Sequence, residues 1–127
     1  MKYQQVTEFE VRDYECDMQG IVNNSVYFNY LEHARHSYLK NKGKTFAELT
    51  QKGLNLVVVR AELDFKKSLR GDEQFIVGTN TEQESRLKIA FFQEIVKIPE
   101  NILILKAKII VTGYDSNGKF FYPGSIV

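Results

Sequence analysis

One long helical stretch, followed by four strand-like stretches with nothing helical between them, is the feature that most constrains this chain. After Gly53 the apolar residues recur at every second position, and they do so almost to the end. Leu54 to Phe65, Glu73 to Thr79, Arg86 to Lys97 and Ile102 to Thr112 read as strands. In the last of these, Leu103, Leu105, Ala107, Ile109 and Val111 share a face opposed by Lys106 and Lys108. Turn residues separate the segments at Arg70-Gly71-Asp72, Pro99-Glu100-Asn101 and Ser116-Asn117-Gly118. Consecutive strands without crossover helices pair antiparallel.

The first half supplies what such a sheet packs on. Val6 to Arg12 alternates, with Phe9 and Val11 on one face and Glu8, Glu10 and Arg12 on the other, as in a half-buried strand. Asp13 to Val22 reads as a loop. Asn23 or Asn24 then opens a helix, because a side-chain oxygen there can accept from a first-turn N–H. Val26, Tyr27, Tyr30, Leu31, Ala34 and Tyr38 fall on one side of that helix, and Asn29, Glu32, His33 and His36 on the other. The helix ends near Asn41 to Gly43, where glycine accepts a left-handed turn. Thr45 to Lys52 is a short second helix capped by Thr45, with Glu48 three residues on, and Gly53 ends it. The expected architecture is α+β, a curved and mainly antiparallel sheet wrapped around one long helix, in a single domain over residues 1–127.

Composition excludes several classes. A net charge of +1 argues against general binding to nucleic acid or to a membrane surface. One cysteine, Cys16, forbids an internal disulfide and suits a reducing compartment. The opening MKYQQVTEFEV has no apolar run of signal-peptide length, and no segment approaches a membrane span. A cytoplasmic enzyme or binding module is the expectation.

Chemistry concentrates between Asp17 and Arg35. A carboxylate sits in a short loop, Gly20 follows, and the helix opens at the Asn pair. Unbonded N–H groups and the positive end of the helix dipole collect at that point. Such a place can polarise a carbonyl oxygen while the acid attacks it or activates water. Tyr27 and Tyr30 lie on the apolar side, where core packing is the ordinary role. His33 and His36 lack the Cys, Asp or Glu partners of known metal sites and read as solvent-facing. Cys16 reads as structural, because the adjacent carboxylate disfavours its thiolate. Lys66, Lys67 and Arg70 form a small basic cluster, and no phosphate-binding loop of the GxxxxGK type is present.

The pattern Asp17-x-x-Gly20-Ile21-Val22-Asn23-Asn24-x-x-Tyr27, followed by Glu32-x-Ala34-Arg35, resembles the hotdog-fold acyl-CoA thioesterases of the 4-hydroxybenzoyl-CoA thioesterase-like group. Gly71-Asp72, opening a strand after Phe65-x-x-Ser68, supports the likeness. The resemblance implies hydrolysis of an acyl-CoA to an acid and free CoA, with no cofactor beyond the CoA of the substrate. It implies Asp17 as nucleophile or general base, the backbone N–H of Asn24 as oxyanion donor, and Gly20 as the place where substrate approaches the backbone. Ile21, Val22 and Tyr27 would line the acyl site, and Lys66, Lys67 and Arg70 would meet CoA phosphates. Glu32 and Arg35 match the motif but fall at the margin of the helix's apolar stripe or away from it, where a role at an interface or in local ion pairs is expected rather than chemistry. Homodimers joined edge to edge, or homotetramers, with active sites at the subunit interface, are also implied. Many relatives carry a histidine near the motif glycine, where this chain has Ile21 and the Asn pair, so weight falls on Asp17 alone. The rival readings are a thioesterase acting on acyl carrier protein and a module that binds acyl-CoA without turnover.

Overall fold

The computed structural model describes residues 2–125, except for the side chains of Phe46 and Ser125. The elements run β1 (Gln5–Glu10), a 3-10 turn (Asp13–Glu15), α1 (Asn24–Asn41), α2 (Phe46–Gln51), β2 (Leu54–Phe65), β3 (Gln74–Ser85), β4 (Lys88–Ile98), β5 (Ile102–Asp115), β6 (Phe120–Phe121) and a final 3-10 turn (Pro123–Ser125). The strands form one antiparallel sheet in the order β1-β3-β4-β5-β2, with β6 added to the end of β5. The helix α1 packs on the inner face of this sheet. The expected fold class, a curved antiparallel sheet around one long helix, holds.

The boundaries follow local chemistry. Thr45 caps α2 by accepting from Glu48 N–H at 3.1 Å, and Gly53 leaves that helix at φ 74°. Asp115 Oδ1 accepts from Asn117 and Lys119 N–H, both at 2.9 Å, which fixes the turn before β6. β3 and β5 differ from the sequence expectation, and β6 is not among the expected strands. β3 runs on to Ser85 rather than ending at Thr79, because the polar residues from Asn80 to Gln83 pair with Phe92 to Ile89 of β4. Ladder hydrogen bonds there override a run of weak strand formers. In β5, Ile104 is buried along with Leu105, because the β4–β5 register shifts between Ile95 and Val96.

Tyr27, Tyr30, Leu31, Ala34, Tyr38 and Leu39 of α1 are buried against Phe75, Val77, Phe91, Ile95, Leu105 and Ile109 of the sheet. Phe9 stacks on Phe75 at 5.1 Å between ring centres, and Tyr30 lies 4.7 Å from the same ring. One polar residue shares this interior. Gln93 is 0% exposed, and its Nε2 donates to Leu31 O at 3.1 Å and to Thr79 Oγ1 at 3.2 Å. Its Oε1 accepts from Arg35 Nη1 at 3.1 Å. Arg35 therefore reaches from α1 into the core rather than pairing at the helix margin. Among the described residues no ion pair joins it to Glu32. A buried amide is tolerable only when it is bonded in this way.

Glu73 holds the start of β3. It accepts from Lys97 Nζ at 2.7 Å and from Arg70 N–H at 2.6 Å. Burial pulls its carboxyl upward, but the bonds and charges of Lys97 and Arg70 outweigh that and hold it below the ordinary carboxylate value. A depressed folded value stabilises the protein at neutral pH, and the contribution is lost as pH falls through the carboxylate range. Thermal midpoints measured from pH 7 to pH 3 should therefore fall less steeply for Glu73→Gln than for wild type, with the two curves converging in acid.

Candidate active site

Asp17 stands in the loop between the first 3-10 turn and α1, and its own atoms shape that loop. Its Oδ1 accepts from Gln19 N–H at 2.8 Å and, at 3.4 Å, from Ile21 N–H. Its main chain closes the same turn: Asp17 N–H donates to Ile21 O at 2.9 Å, and Gly20 N–H to Asp17 O at 3.0 Å. Gly20 has φ +79°, a conformation side chains rarely adopt, and a Cβ there would meet nothing within 4 Å. The glycine is thus required by the turn and leaves open space beside it. One carboxylate oxygen is used by the loop. Among the described residues no group bonds the other, Oδ2, and the residue is exposed.

Long-range contacts pin this loop. Val22 N–H donates to Leu69 O at 2.9 Å, Ile21 forms a bridge with Arg70, and Cys16 forms one with Val22. Leu69 N–H in turn donates to the Tyr27 hydroxyl at 3.0 Å. The segment after β2 therefore clamps both the loop and the first turn of α1. Tyr27 is 2% exposed, packed against Phe65 and Tyr30, and Val22 is 3% exposed. Both support the site from beneath. Ile21 is half-buried beside Asp17, and Lys66, Lys67 and Arg70 are exposed on the clamping segment. Tyr27→Phe should leave the buried Leu69 N–H unsatisfied and cost about 1–3 kcal/mol. Urea unfolding of the variant against wild type measures that loss.

The start of α1 differs from expectation in a way that matters. Asn23 is the N-cap residue, but its side chain makes no capping hydrogen bond. Val26 N–H is the first amide drawn into the helix, bonding Asn23 O at 2.9 Å. With no side chain folded over them, the amides at Asn24 and Ser25 stand at the positive end of an 18-residue helix. An uncapped helix start and an ionisable carboxylate with one uncommitted oxygen adjoin the same loop. That pairing can bind a developing oxyanion and supply a base or nucleophile.

The other candidates fall outside this arrangement. Burial first, then the Asp13 and Asp17 carboxylates, pushes the Cys16 thiol up, which disfavours its thiolate at neutral pH. His33 and His36 are exposed on α1, with His33 set edge-on to Phe9 at 5.4 Å between ring centres. Among the described residues no three His, Cys, Asp or Glu side chains converge as metal ligands, and no helix is long and apolar enough to cross a membrane. The Gln93–Arg35 pair was not legible in sequence. Its one signal is a glutamine at an inward position of a strand otherwise apolar on that face.

The sequence model of the thioesterase-like superfamily matches residues 11–121. The chain is 37% identical over 109 residues to the chloroplastic acyl-acyl carrier protein thioesterase ATL3 of Arabidopsis thaliana, covering 86% of this chain and 57% of that protein. The chain thus spans little more than half the length of this plant relative. A crystal structure of a hypothetical protein from Aquifex aeolicus superimposes with a TM-score of 0.86 at 35% identity, over 93% of this chain and 91% of that one. The DHNA-CoA thioesterase of Staphylococcus aureus gives a TM-score of 0.84 at 25% identity, over 94% and 80% of the two chains.

Proposed function

The chain belongs to the thioesterase-like superfamily, and on that premise we propose that it hydrolyses an acyl-CoA to a carboxylic acid and free CoA. The observation that carries this reading is the uncapped start of α1 beside a carboxylate that keeps one oxygen uncommitted. In this reading the thioester oxygen lies against Asn24 N–H. Asp17 attacks the carbonyl carbon, or takes the proton of a water that does. Charge then develops on the oxygen, where a fixed donor is worth about 10²–10³-fold in rate. The thiolate of CoA leaves; where water attacked, the acid is formed directly, and where Asp17 attacked, water then splits the mixed anhydride to release the acid and restore the carboxylate. Gly20 keeps the approach to the backbone open.

The site is completed by a second copy of the chain. β2 is the last strand on its side of the sheet, and Val57, Val58, Val59 and Phe65 along it are 38–48% exposed. Met18, next to Asp17, is wholly exposed. A long apolar edge is a template for pairing with another strand. Joining two such edges buries it and shields the carboxylate from bulk water, and its interactions strengthen once water is excluded. We therefore read the working form as a homodimer.

Thiol release from a panel of acyl-CoAs, short to long and aryl, tests the activity, with an enzyme-only blank because Cys16 can react with the reagent. Turnover of any member supports the reading. Folded dimer that binds acyl-CoA and releases no thiol makes it a binding module instead. A second donor is favoured by one observation, the likeness to a plant protein named for acyl carrier protein. Lys66, Lys67 and Arg70, exposed beside the loop, suit CoA phosphates or an acidic carrier equally. The same acyl group offered on both carriers separates the two donors.

A further inference from the structure

Two tyrosines one turn apart on α1 grip opposite flanks of the Asp17 loop. Tyr27 lies toward β2, with its ring 5.8 Å from that of Phe65, and its hydroxyl accepts from Leu69 N–H. Tyr30 lies toward β1 and β3, with its ring 5.4 Å from that of Phe9 and 4.7 Å from that of Phe75. Its hydroxyl donates to Glu15 Oε1 at 2.8 Å. Glu15 closes the first 3-10 turn, two residues before Asp17.

Glu15 is bound at both its side chain and its main chain. The same Oε1 accepts from Arg12 N–H at 2.8 Å, so the side chain folds back over its own turn. Its main-chain oxygen accepts from Asn23 N–H at 3.1 Å, and its N–H donates to Arg12 O at 2.9 Å. One residue therefore ties the entry of the loop to the N-cap of α1 and to a tyrosine in the second turn of that helix. Cys16 and Val22 form a bridge just inside the Glu15–Asn23 bond. The loop from Asp17 to Ile21 hangs from this base.

The main-chain bonds sit together at one end of the loop, and bonds grouped in that way act as a hinge. The Tyr30–Glu15 bond lies off that line, further along α1, and stops the hinge from swinging. Tyr30 suits the task. It is 4% exposed, and its ring is packed among aromatic neighbours. Burial first, then the bond to Glu15, pushes its phenol up, so near neutral pH it is the uncharged donor. A reacting group must stand within about 3–3.5 Å of the carbon it attacks, while the oxygen of that carbonyl is held at the start of α1. The lie of the Glu15 arm against α1 sets whether both conditions are met at once.

We propose that Tyr30 and Glu15 are positioning residues for the reaction, whose bond fixes the angle at which Asp17 meets a carbonyl held at the start of α1. Both act through Asp17. This rests on the thioesterase reading above, with Asp17 as its reacting group.

The test is hydrolysis of the best acyl-CoA of the panel by Tyr30→Phe, Glu15→Ala and Glu15→Gln, with thermal melting alongside. Tyr30→Phe keeps the packed ring and deletes only the hydroxyl. It should lower kcat by about 10–10²-fold, the cost of a misplaced reacting group, and leave KM within about twofold of wild type. Glu15→Ala should lose at least as much, and adding Tyr30→Phe to it should lose no more, as for two ends of one bond. Glu15→Gln should keep most of the rate, since an amide oxygen accepts from both the Tyr30 hydroxyl and Arg12 N–H. An unchanged kcat in Tyr30→Phe, a loss confined to KM, or a further loss on adding Tyr30→Phe to Glu15→Ala overturns the proposal. So does a Glu15→Gln variant as slow as Glu15→Ala, because the charge of Glu15 would then be what matters. If Tyr30→Phe fails to fold, the two Glu15 variants decide. Variants as fast as an active wild type overturn the positioning role and leave the thioesterase reading intact. A wild type that hydrolyses neither acyl-CoA nor acyl carrier protein thioesters overturns both.

Discussion

Asp17→Asn is expected to reduce thioester turnover by about 10²–10⁴-fold, the usual worth of a positioned acid or base, with little change in stability. The structure makes this substitution unusually clean. Oδ1 holds the loop by accepting from Gln19 and Ile21 N–H, and an asparagine oxygen can accept the same two bonds. What the variant loses is the charge and basicity at the second oxygen. Steady-state rates with the best acyl-CoA of the panel, alongside thermal melting, make the comparison. A variant that melts with wild type and turns over no faster than background supports Asp17 as the reacting group. Equal turnover would leave the residue with only the loop to hold, and another group would have to supply the base. Asp17→Ala is the less informative change, since it removes the loop bonds as well.

The second large effect is expected at the free edge of the sheet. Val57→Lys with Val59→Lys places two charges on a strand whose apolar side chains are 38% and 47% exposed. Lysine on an edge opposes pairing with another strand. The double variant should sediment as a monomer and lose most of its thioesterase activity, while its circular dichroism stays that of wild type. The activity is lost because Asp17 and Met18 then face water on both sides, and a carboxylate in water interacts weakly with a bound carbonyl. A variant that is monomeric yet fully active would place the whole site within one chain. A variant that stays dimeric would move the interface elsewhere on the surface.

Much of the helix and strand pattern could be read from the chain because it depends on local periodicity. Leu54–Phe65 was legible at both ends, since turn residues bound a clean run of period two. The Thr45 cap and the glycines at 43 and 53 were legible for the same reason, each acting on residues within one turn. β3 was less so. Its second half is polar, and what makes it a strand is β4 alongside, which the segment itself does not encode. The N-cap was misjudged in one respect. Asparagine at that position favours a side-chain cap, yet here Asn23 has an ordinary N-cap backbone and its side chain makes no capping bond.

By itself, then, the sequence determined an antiparallel sheet around one helix and placed Asp17, Gly20 and Asn24 in a single short span. It did so because hydrophobic period and turn chemistry act between near neighbours. Only the tertiary structure decided that Leu69 holds Tyr27 and the Asp17 loop together, 42 residues apart in sequence for the Tyr27 bond. It alone decided that Arg35 bends inward to Gln93, 58 residues away, and not outward to Glu32. A pattern of period 3.6 puts Arg35 at the edge of the buried side and goes no further. Which partner it meets depends on the register of β4 beneath it, and that register is fixed by the packing of the whole core.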